Sequence, residues 1–321
     1  MDPLARLTPD QRALLVPAPL PNAVVPMAAT LTEERFSDPA WVFERKLDGI
    51  RCIAIADEQG ARLLSRNGLS LDARFPEIRA AIAMQPAVPF VVDGEIVAFE
   101  GSATSFSRLQ QRGRGRPAEA FLYLFDVLHL GGRDTTRLPL RARKGLLAHA
   151  ISFGGPIRYT PHRNRDGEEL FRRACAAGWE GLIAKRADAP YTHGRSRDWL
   201  KFKCAAEQEL VVGGYTAPRG SREDLGALLL GYYEDGRLRY AGKVGTGFTR
   251  ATLRDLAARM APLRRPDPPF ADAPRLRDAT WVEPELVAEV GFTEWTRDGR
   301  LRHPRFLGLR DDKEAGEVVR E

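Results

Sequence analysis

Residues 90–99 read FVVDGEIVAF and residues 121–130 read FLYLFDVLHL. Both runs are of strand length and rich in Val, Phe, Leu and Ile, and glycines follow each of them. Shorter runs of the same kind, RCIAIA (51–56) and ARLLS (61–65), precede them, and GLIAKR (181–186) and WLKFKC (199–204) come later. Between the strands, FPEIRAAIAM (75–84) and EELFRRACAAG (168–178) carry apolar residues at helical spacing, and Gly178 closes the second. Runs of strands interrupted by a few helices predict an α+β domain with mainly antiparallel sheets. In FLYLFDVLHL, strict alternation puts Tyr123, Phe125 and Val127 on one face and Asp126 on the other.

After Cys204 the texture changes. ELVVGGYT, ALLLGYYED, GRLRYAGKVG and LVAEVGFTEWT are short strands separated by glycine turns, with one helix over 249–261. That content predicts a small β-barrel of the OB type. The expected domains are therefore 1–204 and 205–321, with the proline-rich stretch 262–280 as a loop inside the second. Residues 1–24 are rich in Pro and Ala without clear periodicity and read as an extended or loosely packed lead-in.

Hydrophobic residues make up 43% and charged residues 29% of the 321, as in ordinary globular proteins. No apolar run reaches the ~20 residues that span a bilayer, and the N-terminus does not read as a secretory signal. The three cysteines, Cys52, Cys175 and Cys204, show neither zinc spacing nor a disulfide framework, so a reducing cytoplasm is expected. The net charge of +6 is mostly an arginine excess, and it clusters. Arg112, Arg114 and Arg116 alternate with glycine, Arg141, Arg143 and Lys144 follow, then Arg195 and Arg197. Such patches attract polyanions when they are exposed.

The chemistry-bearing stretch is KLDGIR (46–51). A neutral lysine amine can attack a nucleotide α-phosphate; Asp48 can orient that amine or hold a metal, and Gly49 lets the backbone approach closely. Alone the hexapeptide is not specific. Farther on, Glu180 opens EGLIAK, ending at Lys185, and WLKFK places Lys201 and Lys203 on one strand face. Phosphate-binding lysines beside an acidic metal ligand are what nucleotidyl transfer needs.

Taken in order, KLDGIR (46–51), SRNG (65–68), DGE (93–95), YLFD (123–126), EGLIAK (180–185), WLKFK (199–203) and RHPRFLGLRDDK (302–313) resemble the covalent nucleotidyltransferases. Within them the chain resembles the ATP-dependent DNA ligases, in particular the ligase module of bacterial ligase D, from about Pro26 to Lys313. The resemblance implies a nucleotidyltransferase domain with an ATP-grasp-like ligase core, followed by the OB-fold domain. It implies that Lys46 forms a lysyl-AMP, that Glu44 accepts from the adenine amino group, that Arg51 and Arg66 hold ribose or phosphate, that Glu95 binds the ribose and that Phe125 stacks on adenine. Glu180, with Asp48, would hold Mg2+ or Mn2+; Lys185, Lys201 and Lys203 would hold phosphates. Arg302, Arg310, Asp312 and Lys313 would reach pyrophosphate when the second domain closes.

AMP would pass from Lys46 to the 5′-phosphate of a nick, and the 3′-hydroxyl would then displace it. The substrate implied is nicked or broken duplex DNA, gripped in part by Arg112, Arg114 and Arg116. The sequence holds no counterpart of the large helical DNA-binding domain of many eukaryotic ligases or of the polymerase and nuclease modules associated with ligase D, which fits either a stand-alone relative or a fragment of a longer protein. A monomer at the bacterial nucleoid, aided by a Ku-like end-binding protein, is the implied setting. The RxDK ending favours DNA ligation over RNA ligation or guanylyl transfer. Lys46, Glu180 and Lys203 together argue against a non-catalytic nucleotide sensor or DNA-binding scaffold.

Overall fold

The computed structural model describes residues 2–320 apart from 88, 102, 105, 107, 110–118, 205 and 219–223. The chain forms two compact units, Met1–Cys204 and Ala205–Glu321. No helix among the described residues is long and apolar enough to cross a membrane.

The first unit is built on two sheets. One runs in the order Val16–Pro17, Arg133–Asp134, Phe121–Leu130, Phe90–Val97, Ile50–Asp57, Gly60–Leu64, and Ile157–Tyr159 joins Phe121–Leu130 in parallel. The other runs His162–Asn164, Trp41–Lys46, Gly181–Arg186, Gly194–Lys203, Met27–Leu31, its last pair parallel. The expected antiparallel pairing thus holds for the long ladders, with parallel strands added at the margins. Because alternate side chains leave a strand on opposite faces, each sheet buries two sets. Ile50, Leu122 and Leu124 pack under Ile78, Ile82, Leu146 and Leu147 of the helices Pro76–Ala83 and Leu140–Ala150. From the other face of that sheet, Ile53, Ile55 and Phe125 meet Met27 and Trp199 of the second sheet. Behind the second sheet, Phe43, Leu182 and Phe202 pack on Ala174 of the helix Gly167–Ala176. Removing a fully buried ring such as Phe43 or Phe202 costs about 3–5 kcal/mol.

Several expectations are corrected. The lead-in is ordered: a 3-10 turn over Pro3–Arg6 and a helix over Pro9–Ala13, opened by a Thr8/Gln11 capping box, with Leu7 buried beside them. Val127 does not share a face with Phe125. A β-bulge opposite Asp93 and Gly94 inserts a residue and reverses the alternation, so Val127 joins the helix-covered core while Phe125 and Leu128 face the second sheet. Asp126 correspondingly pairs with Arg143, whose guanidinium lies over the Tyr191 ring of the Phe125 cluster. Cys175 and Cys204, 29 residues apart in sequence, form a disulfide between the end of the helix Gly167–Ala176 and the end of the strand Gly194–Lys203. Packing of that helix on the sheet brings them together, which spacing alone does not reveal.

In the second unit the strand Ala206–Thr216 pairs with Leu228–Glu234 along one edge. Its other edge is shared between Val287–Phe292 and Ala279–Val282. Arg237–Val244 and Arg305–Leu309 extend the sheet, and the helix Arg250–Met260, capped by Thr249, buries Leu253, Leu256 and Met260 against it. With the short strand Arg264–Arg265, which pairs with Ala279–Val282, these ladders form an open sheet of seven strands among the described residues, so the expected small barrel is not closed.

Candidate active site

Lys46 ends the strand Trp41–Lys46, and the register sets the site around it. Across the sheet, Lys46 stands opposite Gly181 and Gly181 opposite Lys203; Glu44 stands opposite Ile183 and Ile183 opposite Lys201; Lys185 lies between Val42 and Trp199. The intervening residues Phe43, Leu182 and Phe202 are committed to the core behind the sheet. Lys46, Glu44, Lys185, Lys201 and Lys203 therefore share one face. Gly181 makes this possible: its φ is +152°, and a Cβ there would lie 1.8 Å from the Phe202 carbonyl oxygen.

The Lys46 Nζ is ion-paired with Glu180 Oε1, and the two side chains are 19% and 9% exposed. The backbone carbonyl of Glu180 accepts the Cys204 N–H at 3.0 Å. Glu180 Oε2 is buried with no hydrogen-bond partner among the described residues. An unpartnered anionic oxygen in that position suits a hard cation. Asp48 is differently engaged: its Oδ2 accepts the Phe106 N–H at 2.9 Å, and its own N–H donates to Thr104 Oγ1 at 3.0 Å.

Beside the nucleophile lies a buried triad. Glu44 Oε1 takes Lys144 Nζ at 2.5 Å and Glu44 Oε2 takes Lys185 Nζ at 2.7 Å, all three side chains being 2% exposed. Lys185 Nζ sits 4.1 Å from the Phe125 ring centroid and 4.0 Å from that of Trp199. Burial by itself raises the Glu44 pKa, but the two ammonium groups outweigh it and hold it below the usual carboxylate value. Burial opposes the charge on Lys144, yet Glu44 raises its pKa overall. Lys185 gives way instead: burial, reinforced by the like charge of Lys144, lowers its pKa to about 8 in spite of Glu44.

Arg51 is held within the fold. Its Nε and Nη2 reach the two oxygens of Asp93 at 2.5 and 2.6 Å, and Nη2 also donates to the Met27 carbonyl. Tyr191 Oη completes the Asp93 shell at 2.6 Å. Burial would lower the Arg51 pKa, and Asp93 more than reverses this. The Phe125 ring, 8% exposed, is met by Arg51 at 4.8 Å as well as by Lys185. Glu95, half-buried, stands opposite Arg51 and Tyr123 in the ladder. Arg66 occupies the turn Ser65–Gly68, where Gly68 adopts φ +78°.

In the second unit, Arg310 Nε and Nη2 bind Asp312 at 2.9 Å each, and Nη1 lies 3.2 Å from Glu289. Lys313 Nζ pairs with Glu209 at 3.3 Å. Arg302 forms an exposed pair with Glu294 at 2.6 Å. Arg112, Arg114 and Arg116 lie outside the described residues.

The family profile for "ATP dependent DNA ligase domain" matches residues 25–203, and that for "ATP dependent DNA ligase C terminal region" matches residues 221–313. The chain belongs to the ATP-dependent DNA ligases. It is 39% identical over 317 residues to the multifunctional non-homologous end joining protein LigD of Pseudomonas aeruginosa, a match covering 94% of this chain and 37% of that protein. It is 40% identical over 308 residues to the LigD of Mycobacterium tuberculosis, covering 93% of this chain and 40% of that one. The ligase thus spans less than half the length of these relatives. It also matches a solved mycobacterial DNA ligase D complexed with ATP and MES, at 37% identity and a TM-score of 0.68, covering 94% of this chain and 99% of that one.

Sequence reasoning missed the ligase's buried cations. Arg143 and Lys144 fall within the basic run 141–144, but Arg143 pairs with Asp126 at 2.7 Å and Lys144 with Glu44, neither open to a polyanion. Only Arg141 of that cluster is exposed. A signal was present: Leu140, Arg143, Lys144 and Leu147 recur at i, i+3, i+4 and i+7, so both cations fall on the apolar face of their helix. Asp93 and Tyr191, which anchor Arg51, carried no comparable signal beyond the DGE motif.

Proposed function

We propose that this ligase joins the 3′-hydroxyl and 5′-phosphate ends of nicked or broken duplex DNA in end joining, carrying AMP on Lys46. The observation that carries the reading is the pairing of Lys46 Nζ with Glu180 on a sheet face that also bears Lys201 and Lys203. In the first step Nζ attacks the α-phosphorus, a P–N bond forms and the P–O bond to pyrophosphate breaks. The amine must be neutral to attack, and its partner in the fold is Glu180. An oxygen of the DNA 5′-phosphate then displaces Lys46, and the 3′-hydroxyl finally attacks that 5′-phosphorus and releases AMP.

The first unit is the adenylation domain. Lys185 is reassigned from the phosphates to the base edge, because it is buried against Glu44 and the Phe125 ring; there it reads the base with Glu44 and Phe125, while Glu95 binds the ribose and Lys201 and Lys203 hold phosphate oxygens. Arg51 acts mainly through Asp93, and Arg66, on the turn Ser65–Gly68, holds ribose or phosphate. Magnesium or manganese would be held by Glu180, with Asp48 nearby, and supplies charge neutralisation of the phosphate oxygens when bound. The second unit brings Arg302, Arg310, Asp312 and Lys313 to the pyrophosphate. A Ku-like partner and a monomeric state complete the reading, and the end-joining relatives support its setting.

Incubation with labelled ATP or GTP, with and without nicked DNA, tests it. AMP should attach to the wild type, leave on addition of pyrophosphate or nicked DNA, and fail to attach to Lys46→Ala. Adenylation of that variant at the wild-type rate would sink the assignment.

A further inference from the structure

We infer that Lys144 is a positioning residue for nucleobase selection: it anchors the Glu44 carboxylate beside the Lys185 ammonium, so that an acceptor and a donor together match adenine and reject guanine. The inference rests on the base-edge reading of Glu44 and Lys185 given above.

Lys144 comes from the helix Leu140–Ala150, outside the nucleotide-facing sheet, and reaches Glu44 from a hundred residues away in sequence. Its other contacts are the Thr160 carbonyl at 3.3 Å and the Tyr159 ring at 4.9 Å. Each atom it touches is fixed by the fold, so Oε1 of Glu44 is pinned. An ionised carboxylate accepts at about four lone-pair positions and donates at none. Lys144 hydrogen-bonds Oε1 and Lys185 ion-pairs with Oε2 at 2.7 Å without occupying a lone-pair direction, leaving acceptor capacity on Glu44. Adenine offers an amino donor next to a ring-nitrogen acceptor; guanine offers a carbonyl oxygen next to an N–H. The carboxylate and the ammonium suit the first edge and oppose the second at both positions.

Two cations on one buried carboxylate exceed what is needed to neutralise it. If Lys144 only balanced charge, Lys185 alone would serve. With Lys144 present, Glu44 keeps a permanent partner, and Lys185 is free to turn towards a ligand without stranding a buried carboxylate. Without Lys144, Lys185 must stay on Glu44, and both groups are withdrawn from the base.

The test compares wild type with K144M, K144R, E44Q and the K144M/E44Q double variant in self-adenylation, using ATP and GTP. K144M should raise KM for ATP by about tenfold or more, with kcat changed far less, and should lower the ATP-over-GTP preference. E44Q should do the same, and the double variant should be no worse than E44Q, because Lys144 acts through Glu44. K144R should recover much of the ATP preference. Should K144M fail to fold, K144Q carries the same comparison. Unchanged KM and ATP-over-GTP preference in folded K144M or K144Q, or additive losses in the double variant, would overturn the inference and leave a structural ion pair. Equilibrium binding of ATP and GTP reads the same preference without transfer to Lys46. A wild type that binds ATP selectively but forms no AMP adduct would therefore sink the lysyl-AMP reading and leave Lys144 standing.

Discussion

The two units treat buried charge in opposite ways. In the first, one carboxylate, Glu44, is shared by two ammonium groups, those of Lys144 and Lys185. In the second, Arg310 and Lys313 are surrounded by Glu209, Glu289 and Asp312, so acids outnumber the cations they hold. The first cluster carries a surplus of positive charge that an electron-rich ligand can satisfy. The second is already compensated, and its cations can turn to an outside phosphate only by exchanging partners. On the proposed reading, the first unit receives the nucleotide with its surplus charge, and the second holds its cations in ion pairs until they turn to the pyrophosphate.

The largest expected effect falls on the compensated cluster. Arg310→Met removes the shared cation and leaves Asp312 and Glu289 partly buried without it, at a cost of about 3 kcal/mol in stability. A chemical denaturation curve measures this; a loss under about 1 kcal/mol would show that these carboxylates are hydrated rather than compensated, and the contrast between the units would fail.

A middle-sized effect concerns the surplus cluster. With its pKa at about 8, Lys185 loses its charge as pH rises from 7 to 9. KM for ATP in self-adenylation should rise across that window, and Lys185→Met should be worse at pH 7 but flatter with pH. Folding stability moves the other way. The folded pKa is depressed below the ordinary 10.5, so between about 8 and 10.5 the unfolded chain binds more protons and this group's contribution to stability grows with pH. A KM for ATP that stays level from pH 7 to 9 would show that Lys185 remains a cation, with no surplus to relieve.

The smallest effect belongs to the exposed pair. Arg302→Ala should change stability by less than about 0.5 kcal/mol, since its partner Glu294 is also largely exposed. Any loss of adenylation in that variant would then report a functional contact and not the fold. Loss of more than 1 kcal/mol would place Arg302 with Arg310 instead of apart from it.

Much of this molecule was legible in advance because the informative signals are local. The apolar runs at 90–99 and 121–130, the helical spacing at 75–84 and the change of texture after Cys204 each depend on neighbours a few residues away. KLDGIR, EGLIAK and WLKFK carry their chemistry in adjacent positions, and period-two alternation suffices to put Lys201 and Lys203 on one face. What tertiary structure alone decided is which charges lie inside and what they meet. The bulge that turns Val127 away from Phe125 depends on pairing with the strand Phe90–Val97. The Cys175–Cys204 bond depends on a helix docking on a sheet. Arg143 and Lys144 look like surface basic residues until the helix that carries them is seated against Asp126 and Glu44. A charged side chain is buried only where a partner offsets its desolvation, and here those partners lie 17 and 100 residues away in sequence. Residue type and spacing set the chemistry available to the chain, and long-range packing set which of its charges are left to perform it.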